Sequence, residues 1–193
     1  MKRFARKELA SFLRAIDRHL AAPFRLEVIG GAAALLSFRI ESGTLDIDST
    51  HDVRTITPAI EAAARETGLD IPLQTVSIHD APYHYEARLR RLAYPKLKKL
   101  QVFIPEKRDW ALMKVVRLIQ KDIEDIKEVA ESTGFHRSVF LRRFTDEMTH
   151  VAGRREDLVF NFVTMMEQLY GKDAADRIEK EIRTRKKWKW RSP

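Results

Sequence analysis

Two carboxylates stand two residues apart, Asp46 and Asp48, in the run GTLDIDS, and a Gly30-Gly31 pair precedes them. In a β-strand alternate side chains point to the same face, so Asp46 and Asp48 share a face while Ile47 turns to the other. Two ionised carboxylates that close repel, and each raises the other's pKa unless a cation lies between them. Mg²⁺ or Mn²⁺ suits the place, being oxygen-seeking ions that also take substrate phosphates as ligands. Gly30-Gly31 closes one apolar run, FRLEVI, and opens another, AAALLSF. A glycine turn leading into a helix N-terminus offers backbone N–H groups and a positive dipole end to a phosphate. A phosphate cradle beside a metal-holding pair is equipment for moving a phosphoryl or nucleotidyl group. Each half alone is ordinary: Gly-Gly is usually a turn, and Asp-x-Asp at a strand end is usually a solvated edge or a cap. The two in this order, with an apolar helix between them, carry the reading.

The elements that must position these residues follow from periodicity. Residues 3–21 read as a helix with Phe4, Leu9, Phe12, Leu13, Ile16 and Leu20 as its stripe, ended by Pro23. Residues 24–29 read as a strand, AAALLSF as a short helix, and Thr44–Ser49 as a second strand. Thr57-Pro58 starts a helix that Gly68 stops. LQTVSI, YHYEARLRRL and KKLQVFI have strand chemistry. From Pro105 onward the pattern is helical, with WALMKVVRLIQ, KDIEDIKEVAES, SVFLRRFTDEM, REDLVFNFVTMMEQLY and DAADRIEKEIRTR as candidate helices and FNFVTMM read as helical core. The expectation is an α/β (α+β) protein: a small mixed sheet flanked by helices over residues 1–104, then a helical half over 105–193 with a basic tail.

VIGGAAALL followed by GTLDIDS resembles the signature of the polymerase-β-like nucleotidyltransferase superfamily. DAPYHYEARL and LQVFIPEKRDWALMKVVRLIQKDIEDIKEVAESTGF extend the likeness to minimal nucleotidyltransferase-like proteins related to abortive-infection type toxins. The resemblance covers roughly residues 26–144. It implies transfer of a nucleoside monophosphate from an NTP to an acceptor hydroxyl, on tRNA or on a protein, with pyrophosphate leaving. In the toxin branch an antitoxin protein controls the enzyme. Carried over by position, Gly30 and Gly31 map to the phosphate turn, and Asp46 and Asp48 to the catalytic metal pair. Lys114 and Asp122 or Asp125 map to residues that contact nucleotide or complete the site; Arg117, one turn after Lys114, is placed to pair with a nucleotide phosphate or with Asp125. Two departures stand out. Ala32 occupies the place of a common serine. The third carboxylate that active members carry on a later strand has Glu86 as its best candidate and Asp80 as runner-up.

Treated as one helix at about 100° per residue, the stretch after Pro105 brings Lys114, Lys121 and Asp125 within roughly 40° of one another. Val116, Ile119, Ile123 and Ala130 fall opposite. An i,i+4 pair between Lys121 and Asp125 on a solvated face is as good a reading as a functional one. The tail interleaves Arg185, Lys186, Lys187 and Lys189 with Trp188 and Trp190. Cations for phosphates and indoles for bases make it a candidate RNA contact. A frayed basic helix end is the plain alternative.

The chain has 193 residues, a net charge of +8 and no cysteine. The charge is compatible with a nucleic-acid or polyphosphate partner. The missing cysteines exclude disulfides and thiolate-held zinc. The charged N-terminal stretch has no signal-peptide pattern, and no apolar run is long enough to span a membrane, so a cytoplasmic address without membrane association is expected. Two functions of different class fit the sequence. One is a metal-dependent nucleotidyltransferase, possibly of toxin–antitoxin type. The other is a catalytically inactive protein on the same fold that binds nucleotide, RNA or a partner protein.

Overall fold

The computed structural model describes residues 2–38, 40–77 and 80–185. The chain divides into two compact units: Met1–Ile78 with Arg88–Glu106, and His79–Ala87 with Lys107–Pro193. The second unit thus reclaims nine residues, 79–87, from within the stretch read as the α/β half.

The first unit holds the helices α1 (Arg6–His19), α2 (Gly30–Ser37) and α3 (Thr57–Thr67). Its strands are β1 (Phe24–Ile29), β2 (Ile47–Ser49), β3 (Leu73–Thr75), β4 (Arg90–Arg91) and β5 (Leu100–Ile104). They form one mixed sheet in the order β3-β2-β1-β5-β4. β1 runs antiparallel to β2 and parallel to β5, while β2 runs parallel to β3. One face of the sheet is core: Leu26, Val28, Ile47, Leu100, Val102 and Ile104 are all buried. Alternation sends Arg25, Glu27, Asp48, Gln101 and Phe103 to the other face.

α1 begins where the Glu8 carboxylate accepts a hydrogen bond from the Ala5 N–H at 2.8 Å. Its apolar stripe, Leu9, Phe12, Leu13 and Ile16, is fully buried. Asp17, on the same helix, accepts the backbone N–H groups of Lys98, Lys99 and Leu100 at 3.0, 2.7 and 2.6 Å. A single carboxylate therefore fixes where β5 starts and hence its register on β1. α3 starts at Thr57-Pro58 and ends at Gly68, whose φ of 64° is the left-handed C-cap conformation.

The strand expectations shorten, LQTVSI to Leu73–Thr75 and KKLQVFI to Leu100–Ile104. The strand read at Thr44–Ser49 is regular only over Ile47–Ser49, because Thr44 leaves the sheet and exchanges backbone hydrogen bonds with Phe4. YHYEARLRRL contains a 3-10 helix at Tyr85–Arg88 and only two strand residues, Arg90 and Arg91. Here the Pro82 and His84 carbonyls accept the Tyr85 and Ala87 N–H groups, which coils the chain before it can extend.

The second unit is helical: α4 (Lys107–Val115), α5 (Gln120–Thr133), α6 (Arg137–Glu147), α7 (Arg155–Tyr170) and α8 (Lys172–Thr184). Trp110, Phe140, Phe144, Phe162, Met165 and Met166 are buried, and the Phe144 and Phe162 rings stack at 3.8 Å. FNFVTMM therefore supplies core through Phe162, Met165 and Met166. WALMKVVRLIQ and KDIEDIKEVAES are separate helices, so the angular placement that treats them as one does not hold. α4 stops at Val115, Leu118 takes a φ of 38°, and α5 starts after Ile119, whose N–H donates to the Asp122 carboxylate at 3.3 Å. Ile119 is consequently 47% exposed rather than on an apolar stripe. Among the described residues no helix is long and apolar enough to cross a membrane.

Candidate functional site

The glycine turn and the aspartate pair meet at one end of the β1–β2 ladder, where Ile29 pairs with Asp48. α2 starts directly at Gly30, whose φ is 64°. A Cβ on Gly30 would lie 3.2 Å from Asp48 Oδ2, and one on Gly31 would lie 2.7 Å from the Thr44 hydroxyl. Both positions need glycine: the first for its backbone conformation and its approach to the carboxylate, the second to admit Thr44. Ala32, at the place of the superfamily's serine, is buried in the core at 1% exposure.

Ile47 points into the core and Asp48 to the other face, while Asp46, just before the strand, lies close enough for the Asp48 charge to act on it. Burial raises the Asp46 carboxyl above its ordinary value, and the Asp48 charge raises it further. No cationic side chain is shown bonded to Asp46 or Asp48 among the described residues. Like-charged carboxylates without a counterion are the donor set that a hard divalent cation satisfies, so the residues fit Mg²⁺ or Mn²⁺. Among the described residues no group of three or more His, Cys, Asp and Glu side chains is placed to hold a metal.

Sequence reading missed two neighbours. Gln74 stands opposite Asp48 in the β2–β3 register, and its side-chain N–H donates to Asp48 Oδ1 at 2.8 Å. The strand position beside the pair thus carries a neutral amide. LQTVSI marks Gln74 as a strand residue; only the pairing identifies its partner. Glu27 was hidden inside the apolar-looking FRLEVI. It is 7% exposed and takes hydrogen bonds from Arg25 (2.9 and 2.7 Å) and from the Thr50 hydroxyl (2.8 Å). His51 Nδ1 lies 3.8 Å from the same carboxylate. Glu27 is a satisfied buried carboxylate that anchors the β2 exit.

The helix residues form a cluster of their own within the second unit. Lys114 Nζ donates to Asp122 at 2.7 Å and to Asp125 at 3.0 Å. Arg117 binds Asp122 through Nε and Nη2, both at 3.0 Å, and Lys121 binds Asp125 at 3.0 Å. The side chains of Asp122 and Asp125 are 1% and 2% exposed. Burial would raise the Asp122 carboxyl, but hydrogen bonds from Arg117 and Lys114 outweigh it and hold the group below its ordinary value. The break between α4 and α5 makes this possible: it folds Lys114 back onto two carboxylates of the next helix.

Glu86 lies exposed in the 3-10 helix, and Asp80 in the bend before it, both in the 79–87 segment. Arg185 binds Glu181 at 2.7 Å and the Thr145 hydroxyl at 2.8 Å. Lys186, Lys187, Trp188, Lys189 and Trp190 lie outside the described residues.

Residues 7–174 match the model of a family described as "Nucleotidyltransferase of unknown function (DUF6036)". No curated protein and no solved structure matches the chain.

Proposed function

The chain belongs to this nucleotidyltransferase family, and on that premise we propose that it transfers a nucleoside monophosphate from an NTP to an acceptor hydroxyl at the Gly30-Gly31/Asp46-Asp48 site. The observation that carries the reading is the aspartate pair, without a cationic partner among the described residues and with Asp46 raised by burial and by Asp48, set against the start of α2. The N–H groups of the α2 first turn would receive the outer phosphates. Asp46 and Asp48 would hold Mg²⁺ or Mn²⁺, which supplies charge neutralisation to the phosphates when bound. The acceptor oxygen would form its bond to the α-phosphorus as the bond to pyrophosphate breaks, and its proton would pass to solvent. Gln74 would keep Asp48 oriented through its amide. The acceptor is proposed to be RNA, of the tRNA kind, and the setting a toxin–antitoxin pair in the cytoplasm.

A second reading has its own observation. The amide of Gln74 bonds Asp48 where a third carboxylate could have activated the acceptor, which favours a protein that binds nucleotide without turning it over.

The test pairs binding with transfer. Mn²⁺ titration by calorimetry and NTP-induced melting shifts are measured for the wild type and for Asp46→Asn/Asp48→Asn. Label from the α-phosphate of each NTP is then followed into bulk tRNA and protein. Wild-type binding and transfer, both lost in the double variant, support catalysis. Binding without transfer to any acceptor supports the second reading. Equal Mn²⁺ affinity in both proteins sinks the site. Growth arrest on expression that disappears with Asp46→Asn/Asp48→Asn would support the toxin role.

A further inference from the structure

Within the second unit α6 and α8 enclose a groove of about 390 Å³. Arg137 and Arg142 from α6, Arg177 from α8 and Arg185 just beyond it line the walls, and Leu141 and Ile178 lie among them. One lining carboxylate, Glu181, is taken by Arg185, which also stands 3.5 Å from Asp146. Arg137, Arg142 and Arg177 are exposed, and no carboxylate among the described residues lies within ion-pair distance of their guanidinium groups. Crowding like charges around one hollow is unfavourable unless a polyanion shares it.

We propose that this groove is a binding site for the phosphate backbone of single-stranded RNA; as the acceptor-gripping surface, it rests on the nucleotidyl-transfer reading above. Guanidinium forks bind phosphate oxygens in pairs and also stack on bases, which an ammonium cannot do. The buried apolar residues Leu141 and Ile178 give the groove a floor on which a base can lie. Beyond Arg185 the sequence runs on as KKWKWR, the cation-and-indole mixture that suits a single strand. An acidic peptide would satisfy the arginines but gives no use for planar stacking surfaces, so RNA is the better fit.

The experiment uses the full chain. Binding of a short labelled single-stranded RNA and of bulk tRNA is titrated at two salt concentrations for three proteins. These are the wild type, Arg142→Glu/Arg177→Glu, and a control of equal charge change, Lys7→Glu/Arg65→Glu, at exposed positions of α1 and α3. The groove variant is expected to lose at least about tenfold in affinity at low salt. Its salt slope should flatten by about 0.7 for each phosphate contact removed. The control should lose much less. Equal losses in control and groove variant, or none in either, overturn the proposal. So does poly-glutamate displacing from the groove more tightly than RNA binds, which would indicate an acidic protein partner. Arg142→Gln/Arg177→Gln repeats the test should the charge-reversed variant fold poorly. The Mn²⁺-dependent NTP melting shift is read in every protein. Its retention with unchanged RNA affinity sinks the groove alone, whereas its absence from the wild type sinks the transfer site.

Discussion

The molecule carries two groups of acidic side chains that look alike in sequence and differ in physics. Asp46-Ile47-Asp48 sits in the first unit without a described cationic partner, and its first carboxyl is raised by burial and by its neighbour. Asp122 and Asp125 in the second unit are more deeply buried, yet each is matched by cations, and Asp122 is lowered. Burial alone does not decide a carboxylate's protonation; the count of donors aimed at it does. The first group has no cationic partner among the described residues, while the second is supplied with cations by Lys114, Arg117 and Lys121. Its evident work is to join α4 to α5 across the break at residues 116–119.

That contrast can be broken by mutation. The largest effect is expected from Asp122→Ala, which leaves Lys114, 11% exposed, with half of its counter-charge and removes the α5 cap. The cost should be about 3 kcal/mol in denaturant unfolding. The pH dependence has a fixed sign: Asp122 is lowered from 3.8, so its contribution is present above that value and lost as pH falls through the depressed folded value. The wild type should therefore lose an acid-limb contribution that the variant lacks. A loss below about 0.5 kcal/mol would mean that the cluster is not structural.

A smaller effect is expected from Gly31→Ala, whose new methyl would meet the Thr44 hydroxyl at 2.7 Å. Overpacking of this kind costs about 1–3 kcal/mol. Gly31→Ala with Thr44→Ala should recover most of it in a double-mutant cycle. Simple additivity of the two would show that the clash is relieved elsewhere.

The smallest effect has the opposite sign. Asp46 is raised, so its ionised form at neutral pH opposes folding, and its contribution improves as pH falls through the raised value. Asp46→Asn in chelator should melt no lower than the wild type, and slightly higher as pH rises. Added Mn²⁺ should reverse the order by stabilising the wild type alone. Gln74→Ala should leave melting nearly unchanged while altering Mn²⁺ affinity, since the amide touches Asp48 and is exposed. Unchanged Mn²⁺ affinity would remove Gln74 from the site.

The sequence by itself determined what local patterns encode. Alternation placed Ile47 in the core and Asp48 on the opposite face, the apolar run into Gly30 set the β1–α2 junction, and Pro58 and Gly68 bounded α3. These depend on neighbours within a few residues, so a period of two or of 3.6 suffices to read them. Tertiary structure decided the rest. Gln74 faces Asp48 only because β3 joins β2, Glu27 is buried because Arg25 and Thr50 satisfy it, and β5 lies beside β1 because Asp17 clamps residues 98–100. The chain turns at Leu118 between α4 and α5, and the turn brings Lys114 onto Asp122 and Asp125. Pairings between residues far apart in the chain are fixed by packing and electrostatic compensation, and no periodicity in the sequence records them.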